Sequence, residues 1–227
     1  MLPATTYERI LQHLDASHGP GVWLCALLFA PLGTEIGRSI MDRLDDWHHR
    51  SGENIDFFCV GYTEHSDTED AQPIGLLTDH GERRTFYYSA SAFDDIRRDV
   101  SAKSKWQYSG EADLILVNAV QLESGDRGPY HPRSHLVLDE IIALDIQLMI
   151  TDRVYASAAR LMEGVCRAAD DAQARGSEFN LTDFSDREFF RTLLRQGLQR
   201  LVRISGLQGV LGARHFLVGR QLFPDLG

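Results

Sequence analysis

Two almost uninterrupted apolar segments, residues 22–30 and 55–62, flank a stretch with helical periodicity. Apolar runs of this length are typical of strands that are covered on both faces of a sheet. The stretch between them predicts a helix, because Thr34 suits an N-cap and Glu35 suits a first turn. Apolar side chains then recur at helical spacing, at Ile36, Ile40, Leu44 and Trp47. Strand, helix and strand with short connections predict a right-handed parallel βαβ unit.

Further elements are predicted on both sides of this unit. Residues 6–15 have the periodicity of a helix, and residues 84–89 and 112–119 have the composition of strands. Between those two strands, Ser89 or Ser91 is a suitable cap for another helix. The apolar face of that helix consists of Phe93, Ile96 and Val100.

The stretch 140–150 leaves two alternatives open, a strand or the beginning of a long helix. We expect a strand, because β-branched residues cluster there and the pair Thr151 and Asp152 resembles a new N-cap. A helix over 152–174 should then follow.

The C-terminal third is rich in arginine. A capping box from Ser185 to Glu188 predicts an amphipathic helix, and we expect the tail at 207–227 to pack as short helical turns. Such a surface could dock an acidic partner or a second copy of the chain; the alternative is an apolar stripe on the sheet with solvated arginines. The residues predicted to form this interface are Arg191, Arg195, Arg203, Arg214, Phe216, Arg220 and Phe223.

Together the main elements follow the order β-α-β-α-β-β-α, with a helix in front and helices appended. This is the element order of a thioredoxin-like or related three-layer α/β core, and a plain doubly wound sheet is the competing architecture. We expect an α/β core with its N-terminal helix at 1–150 and a helical extension packed on that core at 151–227.

Composition narrows the choice of partners. The 227 residues carry a net charge of -10, which argues against nucleic acid as a partner because phosphates are repelled. The longest apolar run, residues 22–32, is too short to cross a bilayer. Cys25, Cys59 and Cys166 show no regular spacing, which argues against a disulfide framework and for a reducing compartment. We therefore expect a cytoplasmic protein without a membrane partner.

A ligand site is predicted at the carboxyl ends of the first two apolar strands, since open α/β sheets bind ligands there. Backbone amides at the following helix start could hold an anion. The alternative is that Gly33 and Thr34 only form a turn and a helix cap. The residues predicted to contact a ligand are Gly33, Thr34, Glu35, Gly37, Glu64 and His65.

Signatures of several common enzymes are missing from the sequence. It contains no Cys-x-x-Cys pair, no P-loop, no G-x-G-x-x-G and no context for a hydrolase triad. Glu111 and Asp113 partly resemble the metal-binding strand of PD-(D/E)xK-type nucleases, but no lysine follows at a suitable distance. We expect no catalytic residue, no cofactor and no metal ion.

Two stretches of the first half resemble uncharacterised bacterial proteins that accompany antiphage systems. They are residues 28–62, LFAPLGTEIGRSIMDRLDDWHHRSGENIDFFCVGY, and residues 105–119, KWQYSGEADLILVNA. The resemblance implies a biological context and no catalytic residue. With the arginine-rich segment, it suggests a non-enzymatic interaction or adaptor subunit of a multi-component bacterial defence system. The alternative is a sensor or enzyme with a small-molecule or nucleotide pocket at the strand ends.

Overall fold

A computed structural model describes residues 2–43, 55–64, 69–79, 82–121, 133–151, 155–174 and 216–218. The strands are β1 (Leu2–Ala4), β2 (Gly21–Phe29), β3 (Asp56–Val60), β4 (Tyr62–Thr63), β5 (Gln72–Asp79), β6 (Glu82–Tyr88), β7 (Asp113–Gln121), β8 (Ser134–Asp145) and β9 (Phe216–Val218). The helices are α1 (Tyr7–Ser17), α2 (Glu35–Met41), α3 (Ala90–Lys103), α4 (Ile146–Thr151) and α5 (Ala158–Ala174). The chain is therefore a mixed α/β protein.

The main sheet has six strands in the order β1-β3-β2-β7-β8-β9. Strands β1, β3 and β2 are mutually parallel, and the remaining neighbours pair antiparallel. The central strand β7 is buried along almost its whole length and β2 is buried from Leu24 to Phe29, as the apolar runs predict. The predicted parallel pairing of the first two apolar segments is confirmed by β2 and β3.

The helices form a layer on each face of this sheet. Two right-handed crossovers run in opposite directions, from β1 to β2 through α1 and from β2 to β3 through α2, so the two helices lie on opposite faces. Helix α3 lies beside α1, because the Lys103 ammonium is 3.9 Å from the centre of the Tyr7 ring. Helix α5 packs against α2.

A second, three-stranded antiparallel sheet has the order β4-β6-β5. Gly61 joins it to the main sheet, since its N–H donates to Ala4 O and its carbonyl accepts from Ser89 N, both at 2.8 Å. Its φ of +83° lies in the left-handed region, and an added Cβ would lie 2.8 Å from the Phe93 Cβ. A side chain at this junction would therefore be strained and would clash.

The structure divides residues 140–150 between a strand and a helix, so neither alternative alone was right. Strand β8 continues to Asp145, whose carboxylate accepts from Leu148 N at 2.8 Å and begins α4. The next helix, α5, begins at Ala158 rather than near residue 152, after Ser157, whose hydroxyl accepts from Arg160 N. A carboxylate cap at Asp145 thus ends the strand five residues early.

Two other expectations are corrected. The sequence analysis did not predict strand β1, a three-residue edge strand whose register pairs Leu2 with Phe58. The tail was expected to form helical turns, but Phe216–Val218 is an edge strand on β8. The predicted helix after Ser185 and the apolar positions Leu44 and Trp47 lie outside the described residues. None of the helices in the described ranges is long and apolar enough to cross a membrane.

Candidate functional site

The main candidate site is a pocket of about 390 Å³ beside the edge strand β1. Its floor contains Leu2 and Pro3 of β1 and Thr5, which directly follows that strand. Helix α1 supplies one wall, and Thr63 and Glu64 supply the other. The helix wall consists of Arg9, Gln12 and His13. The volume is within the range of small-molecule sites, about 300–1,000 Å³.

Local sequence explains why these side chains converge. Thr6 is the N-cap of α1, and its hydroxyl accepts from Arg9 N at 3.1 Å. With the helix starting there, Arg9 and His13 are four residues apart and lie on one face. Ile10 and Leu14 are buried against the sheet and fix the rotation of the helix. The polar face next to them therefore borders β1.

Thr5 and Thr63 place hydroxyl-bearing side chains deep in the pocket. Thr5 is 9% exposed and Thr63 is 3% exposed. Among the residues that the structure describes, none forms a hydrogen bond with the Thr5 hydroxyl. This hydroxyl borders the pocket, so it can donate a hydrogen bond to a polar group of a ligand there.

His13 is the titratable group of the helix wall. Its Nε2 lies 3.2 Å from Ser17 Oγ, and its ring meets the edge of the Phe58 ring with the centres 5.6 Å apart. Burial lowers the pKa of the imidazole; the charge of Asp56 opposes this, and His18 adds to it. The neutral imidazole is therefore the favoured form at neutral pH, and it can donate or accept a hydrogen bond.

A second histidine lies at the opposite end of α1. His18 Nε2 is 2.6 Å from Asp56 Oδ2, and the His18 ring stacks on Trp23 with the centres 4.8 Å apart. This contact joins the end of α1 to the first residue of β3. It positions α1 over the sheet, and α1 forms one wall of the pocket.

The predicted ligand residues are divided by the structure. Glu64 lines the pocket, and His65 lies outside the described residues. Thr34 is the N-cap of α2: its hydroxyl accepts from Gly37 N and donates to Pro31 O, each at 3.0 Å. An added Cβ at Gly37 would lie 2.0 Å from Pro31 O. Thr34 therefore caps α2, and Glu35 and Gly37 lie in the first turn of this helix.

The sequence analysis missed Thr5, Arg9 and His13. The stretch 4–13 contains the signal, because a threonine cap at Thr6 puts polar residues at spacings of four on the face beside the apolar stripe. Recognising it as a pocket requires β1, which three residues of sequence do not reveal.

Of the predicted interface residues, the structure describes the backbone of Phe216 alone. It belongs to β9 and pairs with Leu144 of β8. The others lie outside the described residues, namely Arg191, Arg195, Arg203, Arg214, Arg220 and Phe223.

Asp113, at the start of β7, is a buried carboxyl group. It is 2% exposed, and its Oδ2 accepts from Trp106 Nε1 and Ser109 N, both at 3.0 Å. Its Oδ1 has no hydrogen-bond partner. Burial raises the pKa of this carboxyl, and the opposing Asp145 acts in the same direction. Asp113 therefore holds the loop before β7 together.

All three cysteines are buried as free thiols. Burial raises the pKa of Cys59 to about 12 and that of Cys25 well above its ordinary value. Such thiols are poor nucleophiles at neutral pH.

Within the described ranges, no three histidine, cysteine, aspartate or glutamate side chains are grouped so that they could hold a metal ion. No family model matches the chain, and no curated protein or solved structure matches it either.

Proposed function

We propose that the chain is a binding module with a thioredoxin-like core that takes up a small molecule in the pocket between α1, β1 and Thr63–Glu64. The strand order β3-β2-β7-β8, with one parallel and two antiparallel pairs, supports the thioredoxin-like assignment. So does the distribution of helices, with α2 and α5 packed together and α3 beside α1.

The observation that carries the proposal is the convergence of polar side chains on one concave site. The pocket combines an apolar floor at Leu2 and Pro3 with an arginine, a half-buried histidine and two buried threonines. Ligand sites typically combine apolar walls with a few placed polar groups. The buried, high-pKa thiols take no part, so the core acts in binding rather than in disulfide exchange.

A variant in which the pocket is filled by a larger side chain tests the proposed small-molecule binding. Gln12 is exposed on the helix wall, so Gln12→Trp fills the pocket without disturbing the core, and Gln12→Ala is the matched control. Thermal unfolding is measured against a panel of nucleotides, amino acids, organic acids and sugar phosphates. A panel member that stabilises the wild type and Gln12→Ala should leave Gln12→Trp unchanged. Binders that stabilise Gln12→Trp as much as the wild type would contradict the proposed site.

A second candidate function is that of an adaptor subunit, within a multi-component bacterial defence system, that binds a protein partner or a second copy of the chain. The observation in its favour is the concentration of arginines over residues 191–220 in a chain with a net charge of -10. Strand β9 ends the described sheet, and an edge strand can pair with another chain.

Light scattering distinguishes this candidate from a monomeric module. Deleting residues 207–227 should convert an oligomer to a monomer, whereas Arg195→Gln together with Arg203→Gln should slow association more than it weakens it. A full-length chain that is monomeric and binds no partner would exclude the candidate.

A further inference from the structure

Arg9 of α1 differs from three other helical arginines in its charge environment. Arg97 and Arg98 of α3 and Arg167 of α5 each pair with a carboxylate three or four residues earlier in the same helix. Arg9 instead has Thr5 and Thr6 at the corresponding positions and Gln12 and His13 at the following ones. Its guanidinium forms no ion pair with the part of the chain that the structure describes, and it borders the pocket.

Thr5 supplies an independent observation next to this cation. Its side chain is nine-tenths buried, lines the pocket, and has a hydroxyl with no hydrogen-bond partner among the described residues. A hydroxyl donates to one acceptor, and a negatively charged oxygen gives the strongest such bond. Thr5 and Arg9 thus offer two donors to the same space.

The backbone adds to this preference. Helix α1 has 11 residues and begins at Tyr7, so its positive end lies between Thr5 and Arg9. One first-turn amide, that of Arg9, is occupied by the Thr6 cap. Negative charge near such an end is stabilised even when the cap is formed.

From these observations we infer that the pocket binds the anionic group, a carboxylate or a phosphate, of its small-molecule ligand. The Arg9 guanidinium and the Thr5 hydroxyl hold the charged oxygens at the N-terminal end of α1, and His13, one turn further on, donates or accepts a hydrogen bond. Glu64 lies on the opposite wall, so the anionic group is placed at the Arg9 side of the pocket. This inference rests on the proposed small-molecule function and adds the chemical class of the ligand.

The test uses inorganic phosphate and citrate as probes for the two anion types, with sodium chloride at equal ionic strength as the reference. Affinities are measured by calorimetry for the wild type, Arg9→Gln and Thr5→Val. Arg167→Gln is the matched control, because it removes the same charge from an exposed site on α5, which packs against α2 and does not line the pocket. Gln12→Trp reports whether binding occurs in the pocket.

We expect phosphate or citrate to bind the wild type and Arg167→Gln equally. Arg9→Gln should weaken that binding roughly 10- to 100-fold, as for loss of a charge-assisted hydrogen bond, and Thr5→Val roughly 3- to 10-fold. The anion type that binds identifies the source of the charge.

Equal weakening by Arg167→Gln would overturn the inference, since binding would then follow net charge alone. Absence of binding by both anions would also overturn it. In that case, a neutral metabolite whose binding Gln12→Trp blocks would leave the proposed function standing, and a panel without any such metabolite would remove both.

Discussion

The carboxylate of Asp15 accepts hydrogen bonds from the backbone amides of Ser134, at 2.7 Å, and Arg133, at 2.8 Å. One side chain of α1 therefore binds the backbone at the start of β8, which lies more than a hundred residues further along the chain. The contact fixes the second half of α1 over the sheet, and the pocket depends on the same helix.

Asp15→Asn should lower stability by about 1–2 kcal/mol at neutral pH, because charge-assisted bonds to two amides are weakened. Burial alone would raise the pKa of Asp15, but hydrogen bonds from Ser134 and Arg133 lower it overall. A carboxyl group whose pKa is lower in the folded state stabilises the fold at pH values above its unfolded pKa of about 3.9. This stabilisation is lost as the pH falls through the pKa of the folded state. Urea unfolding should therefore show a wild-type advantage at pH 7 that shrinks below about pH 4. The exposed Asp139→Asn serves as the control, and an advantage that is independent of pH would contradict the assignment.

Asp113→Asn should raise the stability at neutral pH, in contrast to Asp15→Asn. Burial raises the pKa of Asp113, so the folded state retains its proton longer than the unfolded state, and stability falls as the pH rises through this interval. The amide keeps an acceptor for Trp106 and Ser109 and carries no charge. We expect a gain of about 1 kcal/mol at pH 7 that disappears in acid. A variant that is less stable than Asp139→Asn at pH 7 would show that the carboxylate is required as an ion.

Gly37→Ala should destabilise the protein by about 1–3 kcal/mol, since its Cβ would overlap the Pro31 carbonyl. Gly33→Ala is the matched control, because no atom lies within 4 Å of its added Cβ. Thermal unfolding of both variants checks this. Equal stability of the two would mean that the turn at Pro31 rearranges freely.

Glu35→Ala separates the two possible ligand positions. If the ligand binds at residues 33–37, as the sequence hypothesis states, Glu35→Ala should weaken ligand binding. If it binds in the pocket beside α1, Glu35→Ala should not change the affinity and Arg9→Gln should lower it. Calorimetry with one bound ligand decides between them. A loss with Glu35→Ala alone would move the site to the beginning of α2.

The three cysteine thiols should be unreactive in the folded protein. Cys25, Cys59 and Cys166 are buried, and with its pKa raised to about 12 Cys59 has almost no thiolate at pH 8. A disulfide exchange reagent should react with no thiol of the native chain and with all three after unfolding. Replacing all three by alanine should cost about 2–3 kcal/mol of stability and leave ligand binding unchanged. A specific loss of binding in a folded variant would assign them a role.

Periodicity was sufficient for much of the sheet, because long apolar strands and amphipathic helices leave strong patterns. Residues 22–30 and 112–119 became the neighbouring central strands β2 and β7, and residues 6–15 became α1. The boundary at Asp145 was not visible in the pattern. The neighbours of Asp145 favour a strand, but its carboxylate caps a helix instead. Whether such a cap forms depends on the tertiary packing of the next turn.

The candidate site was less predictable than the fold. Glu64 was among the predicted ligand residues because it follows a strand, and it lines the pocket. Thr5 and Arg9 were not predicted, because the pocket depends on a parallel edge strand of three residues. A strand that short has too few positions for alternation to be read. The cap at Thr34, in contrast, was among the stated alternatives, since a threonine before a helix is a local signal.

The pairing of β1 with β3 has a consequence for the order of folding. Leu2 meets Phe58 across an intervening chain of more than fifty residues, whereas most strand neighbours in β5 and β6 are close in sequence. Because distant segments are costly to bring together, β1 should dock late and open first in the native state. The pocket would then open readily, and amide hydrogen exchange at Leu2 and Ala4 would report its occupancy. A ligand bound at Arg9 would slow this opening and so would change the dynamics of the protein without a large change of shape.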